Sequence, residues 1–165
     1  MVELKRWQCF SINEWKEFYR EKTGDEFKTR QGFKELYIPD RGLCQLSITE
    51  KIVVVEQVSG DGKYWKSVAE VIAQILGIDI IGTLLTRRNP EAYMRLFGYE
   101  IEDIDERNGE KKYFGRNKQT GLKCWLTPAE ERTSQGNRIY FVTWEVRRNV
   151  ENQRNSTSNQ SSNTR

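Results

Sequence analysis

The residues with the clearest capacity for chemistry lie in one run, Val53-Val54-Val55-Glu56-Gln57-Val58-Ser59-Gly60-Asp61-Gly62-Lys63-Tyr64-Trp65. A valine-rich strand there passes through a glycine-containing turn into an amphipathic helix, which is the build of a pyrophosphate cradle. Gly60 and Gly62 let the backbone approach a ligand, and the amides at the helix start place an anion at the positive end of the macrodipole. A phosphate held this way needs no metal. The same pattern also describes a tight connection in an α/β fold. Spacing excludes two other phosphate motifs: G-x-x-x-x-G-K-[ST] is absent, and the position three beyond Gly62 is Trp65 instead of glycine. Asp61 is unusual in such a place, because a carboxylate repels a pyrophosphate unless it points outward; Lys63 would compensate.

The rest of the composition narrows the chemistry. The chain of 165 residues has no histidine, which removes imidazole metal sites and Ser-His-Asp or Cys-His triads. Proton transfer must then fall to carboxylates, tyrosines, lysines, cysteines or backbone amides. Cys9, Cys44 and Cys124 are odd in number and far apart, matching neither a disulfide framework nor a metal clip, so no metal is expected. The 27 basic and 24 acidic residues are interspersed, and the net charge of +3 is a weak pointer to an anionic ligand and not to nucleic acid. The apolar runs Ile52 to Val55 and Ile78 to Leu85 are too short to span a bilayer. The opening Met1 to Arg6 lacks the apolar stretch of a secretory signal, so a cytoplasmic protein is expected.

The elements that must position these residues follow from local signals. Ser11-Ile12-Asn13-Glu14 has capping-box spacing, and with Gly24 as a stop it predicts a helix over 12–23. Residues 33–38, 43–48 and 52–57 read as strands, the first two separated by Pro39-Asp40-Arg41-Gly42. Trp65, Val68, Ala69, Ile72, Ile75 and Leu76 fall at helical spacing before Gly77. A doubly covered strand is predicted over 78–86, then a short helix from Pro90 ending at Gly98. Residues 101–107 and 111–116 flank Asn108-Gly109 as a type I′ hairpin, and 122–126 and 139–146 are later strands. From Val150 the composition is too polar to offset the entropy of ordering, so 1–149 is read as one domain and 150–165 as a disordered tail. The five tryptophans, Trp7, Trp15, Trp65, Trp125 and Trp144, read as core and rim packing in preference to a base-stacking platform.

Gln57-Val58-Ser59-Gly60-Asp61-Gly62 resembles the signature of the GNAT N-acetyltransferase superfamily, Q/R-x-x-G-x-G/A between a core strand and its following helix. One helix and one strand downstream, Asn89-Pro90-Glu91-Ala92-Tyr93 ending at Gly98-Tyr99 resembles the family's N-x-x-A helix leading to Gly-Phe. The resemblance covers about residues 10–115. It implies an α/β (α+β) fold with a mixed, mostly antiparallel sheet flanked by helices and splayed beside the cradle strand. It implies acetyl-CoA as co-substrate, its pyrophosphate on the amides of Gly60, Asp61, Gly62 and Lys63, its pantetheine arm along Val55, Glu56, Gln57 and Val58, and a contact from Asn89. The reaction implied is acetyl transfer to an amine, on a small molecule or a protein.

The proton-transfer groups depart from the family pattern. The family's tyrosine, four residues before Gly-Phe, corresponds to Met94, with Tyr93 adjacent and turned by about 100°. Tyr93 is the candidate acid, or else a packed aromatic. Glu56 is the candidate base, or an ordinary outward carboxylate, since strand side chains alternate. Arg87 and Arg88 are either surface charges or contacts for the adenosine phosphate. Thr86-Arg87-Arg88-Asn89-Pro90 is similar to GNAT-like proteins carried by tailed bacteriophages, which would place the chain in a host cytoplasm. The alternative is a GNAT-shaped protein that has lost catalysis and acts as a structural or interaction module.

Overall fold

Ser11 and Glu14 close the expected capping box on helix α1 (Ile12–Thr23): the Glu14 amide donates to Ser11 Oγ at 3.2 Å and the Ser11 amide to Glu14 Oε1 at 3.3 Å. Gly24, at φ 80°, terminates it in the left-handed conformation. The computed structural model describes residues 8–86 and 89–148. The expectations for Trp7, Arg87, Arg88, the domain boundary at 149 and the polar tail lie outside those residues.

The elements that follow are β1 (Lys34–Ile38), β2 (Gly42–Ile48), β3 (Ile52–Gly60), α2 (Gly62–Leu76), β4 (Ile80–Leu85), α3 (Pro90–Leu96), β5 (Tyr99–Arg107), β6 (Glu110–Asn117), β7 (Lys123–Arg132) and β8 (Arg138–Glu145). They form one eight-stranded sheet in the order β1-β2-β3-β4-β8-β7-β6-β5. Every neighbouring pair is antiparallel except β3 and β4. That pair must be parallel because α2 carries the chain back between them, the crossover that a parallel pairing requires. The mixed, mostly antiparallel sheet flanked by helices is the architecture that the sequence led us to expect.

Alternation along β2 splits the core between the two faces. Leu43 packs with Trp15 and Phe27 beneath α1, while Cys44 and Leu46 join the larger cluster of Trp65, Ala69, Ala73, Ile81, Met94 and Trp144 beneath α2 and α3. β4 lies between β3 and β8 and buries Ile81 and Leu85, which explains its continuous apolar sequence. Asn108 (φ 53°) and Gly109 (φ 75°) make the turn predicted between β5 and β6. Burial pushes the Cys44 and Cys124 thiols up to about 12, so both are inert packing residues, whereas Cys9 is exposed.

Two strands run three or more residues past their expected ends. β3 continues to Gly60 because its ladder with β2 extends to the pair Gly42–Gly60. β7 continues six residues beyond Leu126, through Pro128, by way of a register shift against β8 between Pro128 and Arg132. A proline and a run of charges hide such a strand from pattern reading, since proline lacks the ladder donor.

Candidate functional site

The junction between β3 and α2 is a single residue, Asp61. Asp61 is the N-cap of α2: its Oδ1 accepts from the Tyr64 amide at 3.1 Å, satisfying one of the unpaired donors of the first turn. Its Oδ2 pairs with Arg41 Nη1 at 2.7 Å, and the Arg41 guanidinium lies 5.0 Å from the centre of the Tyr64 ring. The Arg41 carbonyl accepts from the Asp61 amide at 2.9 Å and from Trp65 Nε1 at 3.0 Å. The β1–β2 turn therefore backs the helix start from behind, and its arginine neutralises the carboxylate that seemed out of place.

This arrangement changes the meaning of one glycine. Gly60 sits at φ 112°, and a Cβ there would lie 2.4 Å from the Arg41 carbonyl oxygen. A close approach to the protein's own backbone is enough by itself to demand glycine at 60. Gly62 differs: a Cβ on it would meet nothing within 4 Å, and the residue lines an open cleft.

That cleft, about 950 Å³, forms where β3 and β4 part. The two strands pair from Ile52–Ile80 to Val55–Thr83 and then separate, while β3 runs on to Gly60. Thr83 Oγ1 donates to the Val55 carbonyl at 2.8 Å, the last tie before the parting. The lining draws on both faces of the sheet, with Tyr19 and Thr23 of α1 on one side and Lys66, Phe97 and Trp144 on the other. The volume suits a sizeable ligand.

A bulge shapes the β3 wall. Gln57 pairs with Gln45 but Val55 pairs with Leu46, so Glu56 has no partner in the β2 register. Bulges re-aim side chains, and simple alternation therefore does not decide where Glu56 points. Glu56 lines the cleft and accepts a hydrogen bond from Ser47 Oγ at 2.8 Å. Tyr93 lines the same cleft, with its ring 4.7 Å from that of Phe97, while Met94 is fully buried. The helix thus sends the methionine to the core and leaves the tyrosine at the cleft.

Val55, Glu56, Gln57, Val58, Gly62 and Tyr93 line the cleft; Gly60, Asp61, Lys63 and Asn89 do not. The Asn89 side chain caps α3 by accepting from the Ala92 amide at 3.1 Å. Lys63, in the first turn of α2, is exposed. The Gln57 side chain is a brace: its Nε2 donates to the Lys28 carbonyl and to Gln45 Oε1, and its Oε1 accepts from the Lys28 amide. Together with the fully buried Gln45, whose Nε2 also donates to the Lys28 carbonyl, it pins the segment after α1 beside the cleft.

Two residues of the site escaped sequence reasoning. Lys66 lies one helical turn beyond Gly62, so helical period alone would have put it on the same face. Its ammonium pairs with Glu70 and lies 5.2–5.8 Å from the ring centres of Trp144, Phe97 and Tyr99. Arg41 is twenty residues from Asp61 and carries no local signal of that pairing. Among the described residues no group of His, Cys, Asp or Glu side chains is placed to hold a metal ion, and no helix is long and apolar enough to cross a membrane.

The sequence matches no protein-family model and no curated protein. Among solved structures the chain is similar to the crystal structure of Ard1 from Thermoplasma volcanium, at 10% identity and a TM-score of 0.39, over 85% of this chain and 96% of that one. A likeness of that degree assigns neither a family nor an activity.

Proposed function

We propose that the protein is a GNAT-type N-acetyltransferase that moves an acetyl group from acetyl-CoA to an amine. The observation that carries this reading is the parting of the parallel strands β3 and β4 directly beside the start of α2, with a cleft crossing the sheet at that point. A thioester arm inserted there would find the β4-facing edge of β3 unpaired beyond Val55, the other edge being held by β2, and its phosphates would meet the first turn of α2 at Gly62. An amine entering from the α1 face would reach the same gap. Rate acceleration would come chiefly from holding amine and thioester together and from amides polarising the carbonyl. Glu56 would take the amine proton and Tyr93 would supply one to the departing thiolate.

Calorimetric titration with acetyl-CoA tests the reading, beside the variant Gly62→Glu. The new side chain has open space and a favourable place for an acid in the first turn of a helix, so the variant folds. Wild-type protein is expected to bind at micromolar concentration and the variant at least about tenfold more weakly, because the carboxylate repels phosphate at short range. A folded wild type that does not bind acetyl-CoA ends the enzyme reading.

Two observations favour a second reading, a GNAT-shaped structural or interaction protein without activity. The helix start already holds a carboxylate, Asp61, and the position matching the family's tyrosine is a core methionine. Asp61→Asn separates the readings. Asparagine caps a helix as well as aspartate does, so stability is retained, while the loss of one negative charge frees Arg41. On the enzyme reading acetyl-CoA then binds about three- to tenfold more tightly; on the second, neither protein binds it.

A further inference from the structure

Among the described residues one buried side-chain polar atom has no hydrogen-bond partner, Trp144 Nε1. The two fully buried tryptophans satisfy theirs: Trp15 Nε1 donates to the Pro39 carbonyl at 2.9 Å and Trp65 Nε1 to the Arg41 carbonyl at 3.0 Å. An orphaned buried donor in a native fold calls for a physical reason, because its desolvation is uncompensated. Trp144 is also one of the residues lining the cleft. Its register sets it beside Ile81, which pairs with Val53, two residues inside the last β3–β4 pair at Val55–Thr83. A ligand with its charged end at Gly62 and its arm along β3 would bring its far end toward Trp144.

The surroundings select the kind of atom that can complete this donor. Among the described residues the ammonium over the indole is that of Lys66, which is already paired with Glu70, so the indole itself offers an anion no surplus positive charge, although Lys28, Arg30 and Arg132 line the cleft elsewhere. Val55, Leu85 and Phe97 form apolar walls nearby, where an unpaired charge would be penalised. A neutral carbonyl oxygen meets both conditions, since it accepts one hydrogen bond and brings no charge.

We propose that Trp144 is the ligand-carbonyl donor of the cleft, its indole Nε1–H bonding a carbonyl oxygen of the bound thioester molecule. This rests on the transferase reading above, and both the acyl carbonyl and an arm amide offer that chemistry. The test is calorimetry of Trp144→Phe, which keeps a ring and deletes the donor, against acetyl-CoA and against free CoA. A loss of about tenfold in affinity is the expected worth of one such bond. Loss for acetyl-CoA alone assigns the acyl carbonyl, and equal loss for both assigns an arm amide. Affinities equal to wild type for both overturn the proposal. Should the variant fail to fold, the indole ¹H–¹⁵N resonances of the wild type give the same answer, since one of them must move downfield as acetyl-CoA saturates the protein, and five unmoved resonances overturn it. Wild-type protein that binds neither ligand overturns the transferase reading itself and this donor role with it, whereas binding with an indifferent Trp144 removes only the donor role.

Discussion

Gly42→Ala is expected to destabilise the protein by at least about 3 kcal/mol, more than any other single glycine replacement in the chain. Gly42 sits at φ 115°, and a Cβ there would lie 1.8 Å from the Ser59 carbonyl oxygen and 2.8 Å from its carbon. Neither is the end of a flexible side chain that could swing away. The pair Gly42–Gly60 is the last rung of the β2–β3 ladder, so relief of the overlap must pull β3 from β2 where Arg41 braces the start of α2. Thermal unfolding should show a midpoint lower by roughly 6–12 °C for a chain of this size. Gly62→Ala is the internal control, because its site is open and its backbone lies outside the left-handed region; its midpoint should stay within a degree or two of wild type. A Gly42→Ala protein as stable as the control would mean that the two strands do not approach as described.

The second large effect concerns turnover. On the transferase reading proposed above, replacing Glu56 by glutamine and Tyr93 by phenylalanine in one protein is expected to lower kcat by about 10²- to 10⁴-fold, the range typical of lost proton transfer. Both changes preserve shape: glutamine can still accept from Ser47 Oγ, and phenylalanine keeps the ring that packs on Phe97. Acetyl-CoA affinity should therefore be close to wild type, which separates loss of chemistry from loss of binding. The assay is release of free CoA thiol in the presence of an amine identified by screening. Turnover that survives in the double variant would remove both residues from the mechanism and leave positioning and amide polarisation as its whole basis.

How much of this was legible in the chain can be judged element by element. The bounds of α1 were readable to the residue, because Ser11, Glu14 and Gly24 act within one or two turns of the helix they delimit. The Asn108-Gly109 hairpin, the proline-initiated α3 and the valine-rich β3 were likewise set by residues adjacent to them. The strand, glycine and helix around Asp61 were visible, but the reason for Gly60 was not. Its cause is the Arg41 carbonyl, brought close by a strand pairing that only the folded sheet creates.

Long-range packing decided the rest. The sequence alone determined which segments form helices and strands and that any proton transfer must do without histidine, since each follows from local backbone preference, apolar period or composition; the mixed sheet was implied by the family resemblance. Only the tertiary structure decided that β8 inserts beside β4, that β3 and β4 part after Val55, that Arg41 answers Asp61, and that Tyr93 faces the cleft while Met94 fills the core. Those outcomes depend on contacts between residues tens of positions apart, whose partners are chosen by which surfaces bury together, and no local spacing records that choice.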